Sequence, residues 1–466
     1  MGFKDTKEKV AHAAQKKAFS VLLDKVGKKA FDDQKEGYIE VVDAIEKLLG
    51  NGWSPVAYEK LRAAFGKDGK WTQYLDELLD RVDLEYLKGL FMSLGYEAGF
   101  AGFRKVQRVG KEMGMELPWI IIMDPTSACN LHCLGCWASE YDRQLSLSFE
   151  DMDRVVTEGK EFGCHAYLMT GGEPTVRKKD VVRLAEKHPD CAFMLFTNGT
   201  LVDQKFCDDM RRCKNIVLSI SIEGFEEATD ARRGKGVFKK VMDAMDLMKA
   251  NGLVYGTSIC YTSQNYKDVT SDEFIDFLIS KGVSYSWFFH FMPVGNDAAV
   301  ELLPTPEQRE YMYHRVREIR DWTGGKKIFC MDFQNDGEFV QGCIAGGRHF
   351  CHINPNGDME PCVFIHYSGA NIHDMSLMEC LKQPIFQAYQ KRQAFDDNLL
   401  RPCPMLENPE FLREIVKESG AKSTDMESPE SVEHLCSKCD RYAKEWKPMA
   451  DKLWKESHPD FVRKEN

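Results

Sequence analysis

The chain of 466 residues carries 73 acidic and 62 basic side chains, a formal net charge of −11. That balance argues against a nucleic-acid substrate, whose phosphates need a basic face, and the length exceeds one ordinary core, so two or three domains are expected. No N-terminal segment reads as a signal peptide and none is apolar for the ~20 residues that span a bilayer, so the 16 cysteines are expected as reduced thiols in a cytoplasm.

Residues 1 to 115 read as an all-helical domain. Val10, Ala14, Val21, Leu22 and Val26 recur at helical spacing, as do Ile39, Val42, Ile45 and Leu49, with Gly50-Asn51-Gly52 as a stop signal. The first 30 residues hold eight lysines (Lys4, Lys7, Lys9, Lys16, Lys17, Lys25, Lys28, Lys29) against three acids. Such a helix either lies on an anionic membrane surface or faces a lipid substrate, or it is a solvated lysine face docked on the rest of the protein. The docked reading is favoured. A helical domain in this place can also serve as a lid.

From Trp119 the pattern alternates strands and helices, the signature of parallel βα units. The strands are expected at Trp119 to Met123, Ala166 to Met169, Ala192 to Thr197, Ile216 to Ile222, Val254 to Tyr261 and Ser284 to Phe291. Six units fit an incomplete barrel. Ser148-Phe149-Glu150-Asp151 has the form of a capping box before a helix ending near Gly163, and Thr305-Pro306-Glu307-Gln308 opens a connecting helix that stops at Gly324-Gly325. In parallel α/β architectures ligands bind at the carboxyl ends of the strands, where each of the following motifs falls.

After the first strand comes Cys129-Asn130-Leu131-His132-Cys133-Leu134-Gly135-Cys136. Three thiolates can hold three irons of a cubane and leave the fourth open, whereas zinc would want a fourth protein ligand. The second strand ends in Thr170-Gly171-Gly172-Glu173-Pro174, where glycines allow close backbone approach to a ligand and a carboxylate can receive an ammonium group. The third ends at Asn198, an Asn-Gly turn signal. Ser219, Ser221 and Glu223 share one face of the fourth by the two-residue period, and Arg232 and Arg233 follow before a glycine turn. Cys260, Tyr261 and His290 lie toward the ends of the fifth and sixth strands, as weak catalytic candidates.

Cys129, Cys133 and Cys136 match the cluster motif of the radical SAM enzymes, which the chain resembles. The resemblance implies a [4Fe-4S] cluster whose open iron chelates S-adenosylmethionine. An electron from a low-potential donor such as flavodoxin or ferredoxin splits that cofactor, and the resulting 5′-deoxyadenosyl radical takes a hydrogen atom from an unactivated C–H of substrate. It further implies that Thr170, Gly171, Gly172, Glu173 and Pro174 hold the methionine amino group, that Asn198, Ser219, Ser221 and Glu223 line the cofactor, and that Arg233 pairs with its carboxylate. Arg232 and Arg233 also read as a surface pair at a helix start. The family often has an aromatic residue before the third cysteine; here that position is Gly135, and Trp137 follows.

Downstream, Cys343 and Cys362 flank an expected hairpin of Phe350 to Asn354 and Met359 to Phe364 about Asn356-Gly357. With Cys403, Cys436 and Cys439 this resembles a SPASM domain, the auxiliary-cluster extension of many radical SAM enzymes, in truncated form. One auxiliary [4Fe-4S] cluster is implied, Cys351 being a further possible ligand, with a structural zinc site as the competing reading of Cys-x2-Cys. The expectation is thus an α/β protein: a helical N-terminal domain (1–115), an incomplete (β/α)6 radical SAM barrel (116–300), a connecting helix (301–325) and a small cysteine-rich α+β domain (326–466). The implied substrate is a ribosomal peptide, with a lipid or other small molecule as the alternative and a non-catalytic iron–sulfur or zinc scaffold as the reading of another class.

Overall fold

The computed structural model describes residues 3–28, 34–49, 55–65, 69–139, 141 and 144–460. The helical region comprises α1 (Phe3–Gly27), α2 (Gln34–Leu49), α3 (Pro55–Ala64), α4 (Lys70–Arg81), α5 (Leu84–Leu90), a π-helical run Phe91–Gly102 and α6 (Phe103–Met113). The Gly50-Asn51-Gly52 stop signal and Lys29 lie outside the described residues, as do the side chains of Lys4, Lys7 and Lys9.

The barrel follows as β1 (Ile120–Met123), α7 (Phe149–Phe162), β2 (Ala166–Met169), α8 (Lys178–Lys187), β3 (Ala192–Thr197), α9 (Gln204–Cys213), β4 (Ile216–Ser221), α10 (Glu226–Arg233), α11 (Val237–Ala250), β5 (Tyr255–Tyr261), α12 (Asp272–Lys281) and β6 (Tyr285–His290). Then come α13 (Pro306–Ile319), β7 (Phe329–Asp332), β8 (Phe350–Ile353), β9 (Met359–Glu360), β10 (Tyr367–Ser368), α14 (Leu377–Leu381), α15 (Pro384–Arg392), α16 (Pro409–Ser419), β11 (Lys422–Ser423) and α17 (Val432–Ser457).

All six expected strands form, in one sheet of order β7-β6-β5-β4-β3-β2-β1-β8-β9. Strands β1 to β6 are parallel, and the sheet curves so far that Phe196 of β3 meets Trp287 and Phe289 of β6 across its concave face, at 6.2 and 5.6 Å. The expected hairpin also forms, with His352 opposite Glu360. Its first strand pairs parallel with β1, Ile120 beside Phe350 through Met123 beside Ile353, and β7 pairs parallel with β6. The sheet therefore runs through the boundary expected at residue 326. An open barrel leaves unpaired N–H and C=O groups along its two edge strands, and β7 and β8 cover them.

The capping boxes at Ser148 and Thr305 are present. α13 ends at Ile319, short of the expected Gly324-Gly325, because the Asp321 carboxylate accepts from the N–H groups of Thr323 and Gly324 and turns the chain there.

The helical region closes the end of the barrel where the strands begin. Tyr86 Oη donates to Ile216 O at 2.7 Å, Tyr74 Oη to Ser284 O at 3.0 Å and Arg81 Nη2 to Ser284 Oγ at 2.6 Å, all at strand entries. Among the described residues these contacts lie at the strand entries and not at the carboxyl ends, so the lid expectation is corrected: they make a base plate. α1 docks on this plate through Phe19, packed with Tyr96 and Phe100, while Lys16 Nζ and His12 Nε2 lie 2.5 and 3.0 Å from Glu97. Among the described residues no helix is long and apolar enough to cross a membrane.

Candidate functional site

The cysteine loop sits over the carboxyl ends of β1 to β4, tied down strand by strand. Glu173 N donates to Ala128 O at 2.9 Å, Asn198 Nδ2 to Asn130 Oδ1 at 2.9 Å, and Leu134 N to Arg232 O at 2.9 Å. These bonds bring Cys129, Cys133 and Cys136 within each other's electrostatic reach, all half-buried. Burial, with the neighbouring thiols and Glu173, pushes Cys129 up to about 11.

The Gly-Gly-Glu turn is used differently from the expectation. A Cβ on Gly171 would lie 2.9 Å from Thr126 O, and one on Gly172 2.3 Å from Ala128 O. The glycines thus admit the cysteine loop itself to close approach. The Glu173 carboxylate is engaged inside the protein on both oxygens: Oε1 accepts from Thr175 N (2.9 Å), Thr175 Oγ1 (2.5 Å) and Thr197 Oγ1 (2.6 Å), and Oε2 from Asn198 N (2.7 Å). It joins the ends of β2 and β3, with Oε1 taken up by threonine groups. Thr170 donates its N–H to Met123 O, and Pro174 opens a 3-10 turn. Gly135 has φ 64°, and a Cβ there would meet the Phe291 ring at 2.6 Å, which is why this position cannot carry the aromatic side chain the resemblance expects. Trp137 does not replace it, because it packs edge-on to His352, Phe364 and His366 in the auxiliary region.

Glu223 lies beyond the end of β4 and carries two arginines. Its Oε1 accepts from Arg232 Nη1 (2.6 Å) and from Arg233 Nε and Nη2 (2.9 and 2.5 Å), while Oε2 is buried with no hydrogen-bond partner. Arg233 Nη1 reaches Cys133 Sγ at 3.9 Å, and Arg232 Nε donates to Leu134 O at 3.2 Å. Both guanidinium side chains are at most 14 % exposed, which overturns the surface-pair reading. Sequence reasoning left Arg232 without a role. One carboxylate shared by two arginines leaves a net positive charge beside the thiols, suited to thiolates and to a carboxylate ligand. Ser219 is buried on Tyr285 Oη at 3.0 Å; Ser221 is half-buried in register with Ser258.

Of the catalytic candidates, Cys260 faces the site: Arg232 hydrogen-bonds it, and burial pushes its thiol up to about 11. Tyr261 and His290 do not. Paired in register, they point outward to the helices, Tyr261 Oη donating to Asp332 at 3.4 Å and His290 Nε2 lying 3.1 Å from Tyr442 Oη of α17. Burial, with Arg309 nearby, lowers His290 to about 3, so it is neutral. This corrects their placement at the mouth.

In the auxiliary region Cys343, Cys362 and Cys403 feel one another electrostatically around the buried ring of Tyr389, whose Oη lies 3.1 Å from Cys343 Sγ. Cys436 and Cys439 are fully buried on α17, and Cys439 shares the field of Glu407 with Cys403. The charges that act on Cys436 are Arg413, Asp440, Glu433 and Glu430. Cys351 lies in β8 among Cys164 and Cys380, a packed thiol away from this set. Among the described residues, three ligating atoms within 4.8 Å of one another occur only at His165, Asp190 and Cys191. There His165 Nδ1 is 3.1 Å from Asp190 O and Lys160 already pairs with the carboxylate. A zinc tetrahedron would draw its sulfurs to about 3.8 Å of one another, so neither cysteine set has the spacing of a zinc site.

The fold, a parallel α/β barrel with a thiol triad at its carboxyl end, is that of a radical SAM protein, and residues 123–278 match the Radical SAM superfamily. Residues 343–405 match the SPASM iron–sulfur cluster-binding domain, so the chain carries a radical SAM domain followed by a SPASM domain. Its cofactors are accordingly a [4Fe-4S] cluster, S-adenosylmethionine and auxiliary iron–sulfur. It is similar to the mycofactocin maturase MftC of Mycolicibacterium smegmatis, 29% identical over 283 residues, 57% of this chain and 68% of that one. It is also similar to Fe-coproporphyrin III synthase of Methanosarcina barkeri, 25% identical over 231 residues, 47% of this chain and 57% of that one. The chain thus spans little more than half the length of the latter. Its fold is similar to that of Streptococcus suis SuiB bound to S-adenosylmethionine, with TM-score 0.55 and 18% identity over 72% of this chain and 81% of that one.

Proposed function

We propose that this chain is a radical SAM enzyme that modifies an unactivated C–H bond of a ribosomally made peptide. When bound, the cluster and S-adenosylmethionine supply reductive cleavage of the cofactor and hydrogen-atom abstraction. Cys129, Cys133 and Cys136 are the ligands we assign to that cluster. Arg232 and Arg233 hold the positive charge that receives the cofactor carboxylate, and Glu223 Oε2, buried and unpartnered, accepts from a ligand hydroxyl. Phe196, Trp287 and Phe289 wall the concave face beneath and keep water from the reacting atoms. Cys343, Cys362, Cys403 and Cys439 are the set we assign to the auxiliary cluster, which takes up the electron left on the substrate.

The observation that carries the reading is Glu223, gripped on one oxygen by two arginines beside Cys133 and unpartnered on the other. Peptide as the substrate class is supported by the mycofactocin maturase relative and by SuiB, whose precursor-peptide complex has a similar fold, with TM-score 0.54 at 15% identity. The Fe-coproporphyrin III synthase relative favours a second reading, modification of a tetrapyrrole. The lipid reading is weakened, because Lys16 of α1 binds the buried Glu97 and Lys25 pairs with Glu40 of α2. The test is to incubate anaerobically reconstituted enzyme with S-adenosylmethionine, reductant and either precursor peptides encoded beside its gene or coproporphyrin. Deoxyadenosine stoichiometric with a peptide mass change supports the first reading; turnover of the tetrapyrrole alone replaces it with the second.

A further inference from the structure

The auxiliary region holds a fully buried ion pair that its thiols do not explain. Arg309 of α13 and Glu407, four residues after Cys403, are both 0% exposed, with Arg309 Nη1 2.5 Å from Glu407 Oε1. The other oxygen, Oε2, accepts the backbone N–H of Cys403 at 2.5 Å. Arg309 is fixed on every side: Nε donates to Asn335 Oδ1 at 2.9 Å, Nη2 to the carbonyls of Gln334 and Leu400 at 3.2 and 3.1 Å, and its plane lies over Trp446 at 4.3 Å. Two charges taken out of water cost more than an apolar pair of the same volume in most interiors, so stability alone is a weak reason for this arrangement. Its position supplies a better one. The carboxylate touches the backbone of a thiol assigned to the auxiliary cluster, and the guanidinium reaches Tyr442 Oη at 3.3 Å, the same hydroxyl that meets His290 at the end of β6.

We propose that Arg309 and Glu407 are positioning residues that set the reduction potential of the auxiliary cluster, Glu407 by holding a negative charge against Cys403 and Arg309 by compensating it. This rests on the proposed auxiliary ligand set. The couple concerned is the one-electron reduction of a [4Fe-4S] cluster, in which the reduced form carries one more negative charge than the oxidised form. A nearby negative charge therefore disfavours reduction and a nearby positive charge favours it. Arginine stays protonated in proteins, so removing Glu407's charge leaves a bare cation beside the cluster.

The experiment is a redox titration of the reconstituted holoprotein, monitored by EPR at the auxiliary-cluster signal, with iron counted per chain. Glu407→Gln is expected to raise the midpoint potential. The double variant Arg309→Met with Glu407→Gln, which removes both charges, is expected to bring it back toward the wild-type value with iron retained. Should Glu407→Gln alone lose auxiliary iron while the double variant keeps it at the wild-type potential, the charge account stands, because an unpaired buried arginine is then the cause. Unchanged potentials in both variants, or auxiliary iron lost from both, overturn the inference alone. A wild-type protein with no auxiliary signal to titrate overturns it together with the reading on which it rests.

Discussion

The two cysteine sets differ in how the chain assembles them and in the charge around them. Cys129, Cys133 and Cys136 come from one short loop, stay half-buried at the rim, and lie between Arg232 and Arg233, paired to Glu223, and the Glu173 carboxylate that acts on Cys129. The auxiliary thiols are gathered from a loop, a hairpin, a turn and a long helix, and Glu407 acts on both Cys403 and Cys439, with Lys438 opposing it at Cys439. Burial pushes both Cys439 and Cys136 above the ordinary thiol value; Lys438 works against it at Cys439, and Arg232 and Arg233 do so at Cys136. On the proposed reading the first set accepts an anionic ligand from outside and the second is closed by the protein.

The largest effect expected from this contrast is at the open set. Cys133→Ala should remove the first cluster, lowering iron by about four per chain, and should abolish deoxyadenosine formation. Next, Arg233→Met removes one of the two cations proposed to face the cofactor carboxylate, so cofactor affinity measured by equilibrium binding should fall by about two orders of magnitude, about 2.8 kcal/mol, while auxiliary iron is retained. At the closed set, Cys439→Ser should lose auxiliary iron and Cys436→Ser should keep it, which iron counting will separate.

A smaller effect is expected where the two regions meet. His352, fully buried, lies between Asp124 Oδ2 at 3.1 Å and Glu360 Oε2 at 2.6 Å. Burial opposes its charge, but the two carboxylates win and raise it to about 10. A histidine raised in the folded state stabilises fully below its unfolded value of about 6.5 and loses that contribution as pH climbs through the folded value. The melting-temperature gap between wild type and His352→Gln should therefore be widest at pH 6.5 and below and close toward pH 10. The smallest effect on chemistry should come from the base plate: Phe19→Ala should lower thermal stability, by about 3 kcal/mol for a buried phenylalanine, and leave cofactor cleavage unchanged.

Much of this was legible because it is local. The triad spacing, the strand runs, the Ser148 and Thr305 caps and the Asn356-Gly357 turn are each written within a few residues, and each element forms. The rest depends on which elements pack together. Alternation along β5 and β6 does not say that Tyr261 and His290 fall in register, nor that α13 and α17 cover their face. Nothing near Phe350 signals that it will pair with Ile120, since that register is set by the free edge of an open sheet. Gly171 and Gly172 read as a ligand turn because glycine signals close approach without naming what approaches. Arg232 could have been noticed: it and Arg233 follow Glu223 by nine and ten residues across one turn of chain, and three charges after a barrel strand ask for partners.

The most direct test of the central claim, that the triad holds an open cluster receiving S-adenosylmethionine beside Arg233 and Glu223, is ENDOR of the reduced first cluster with cofactor labelled with 15N at the amino group. The account predicts a 15N coupling to cluster iron that weakens or disappears in Arg233→Met at the same cofactor concentration. A fully loaded cluster with no coupling in the wild type would contradict it.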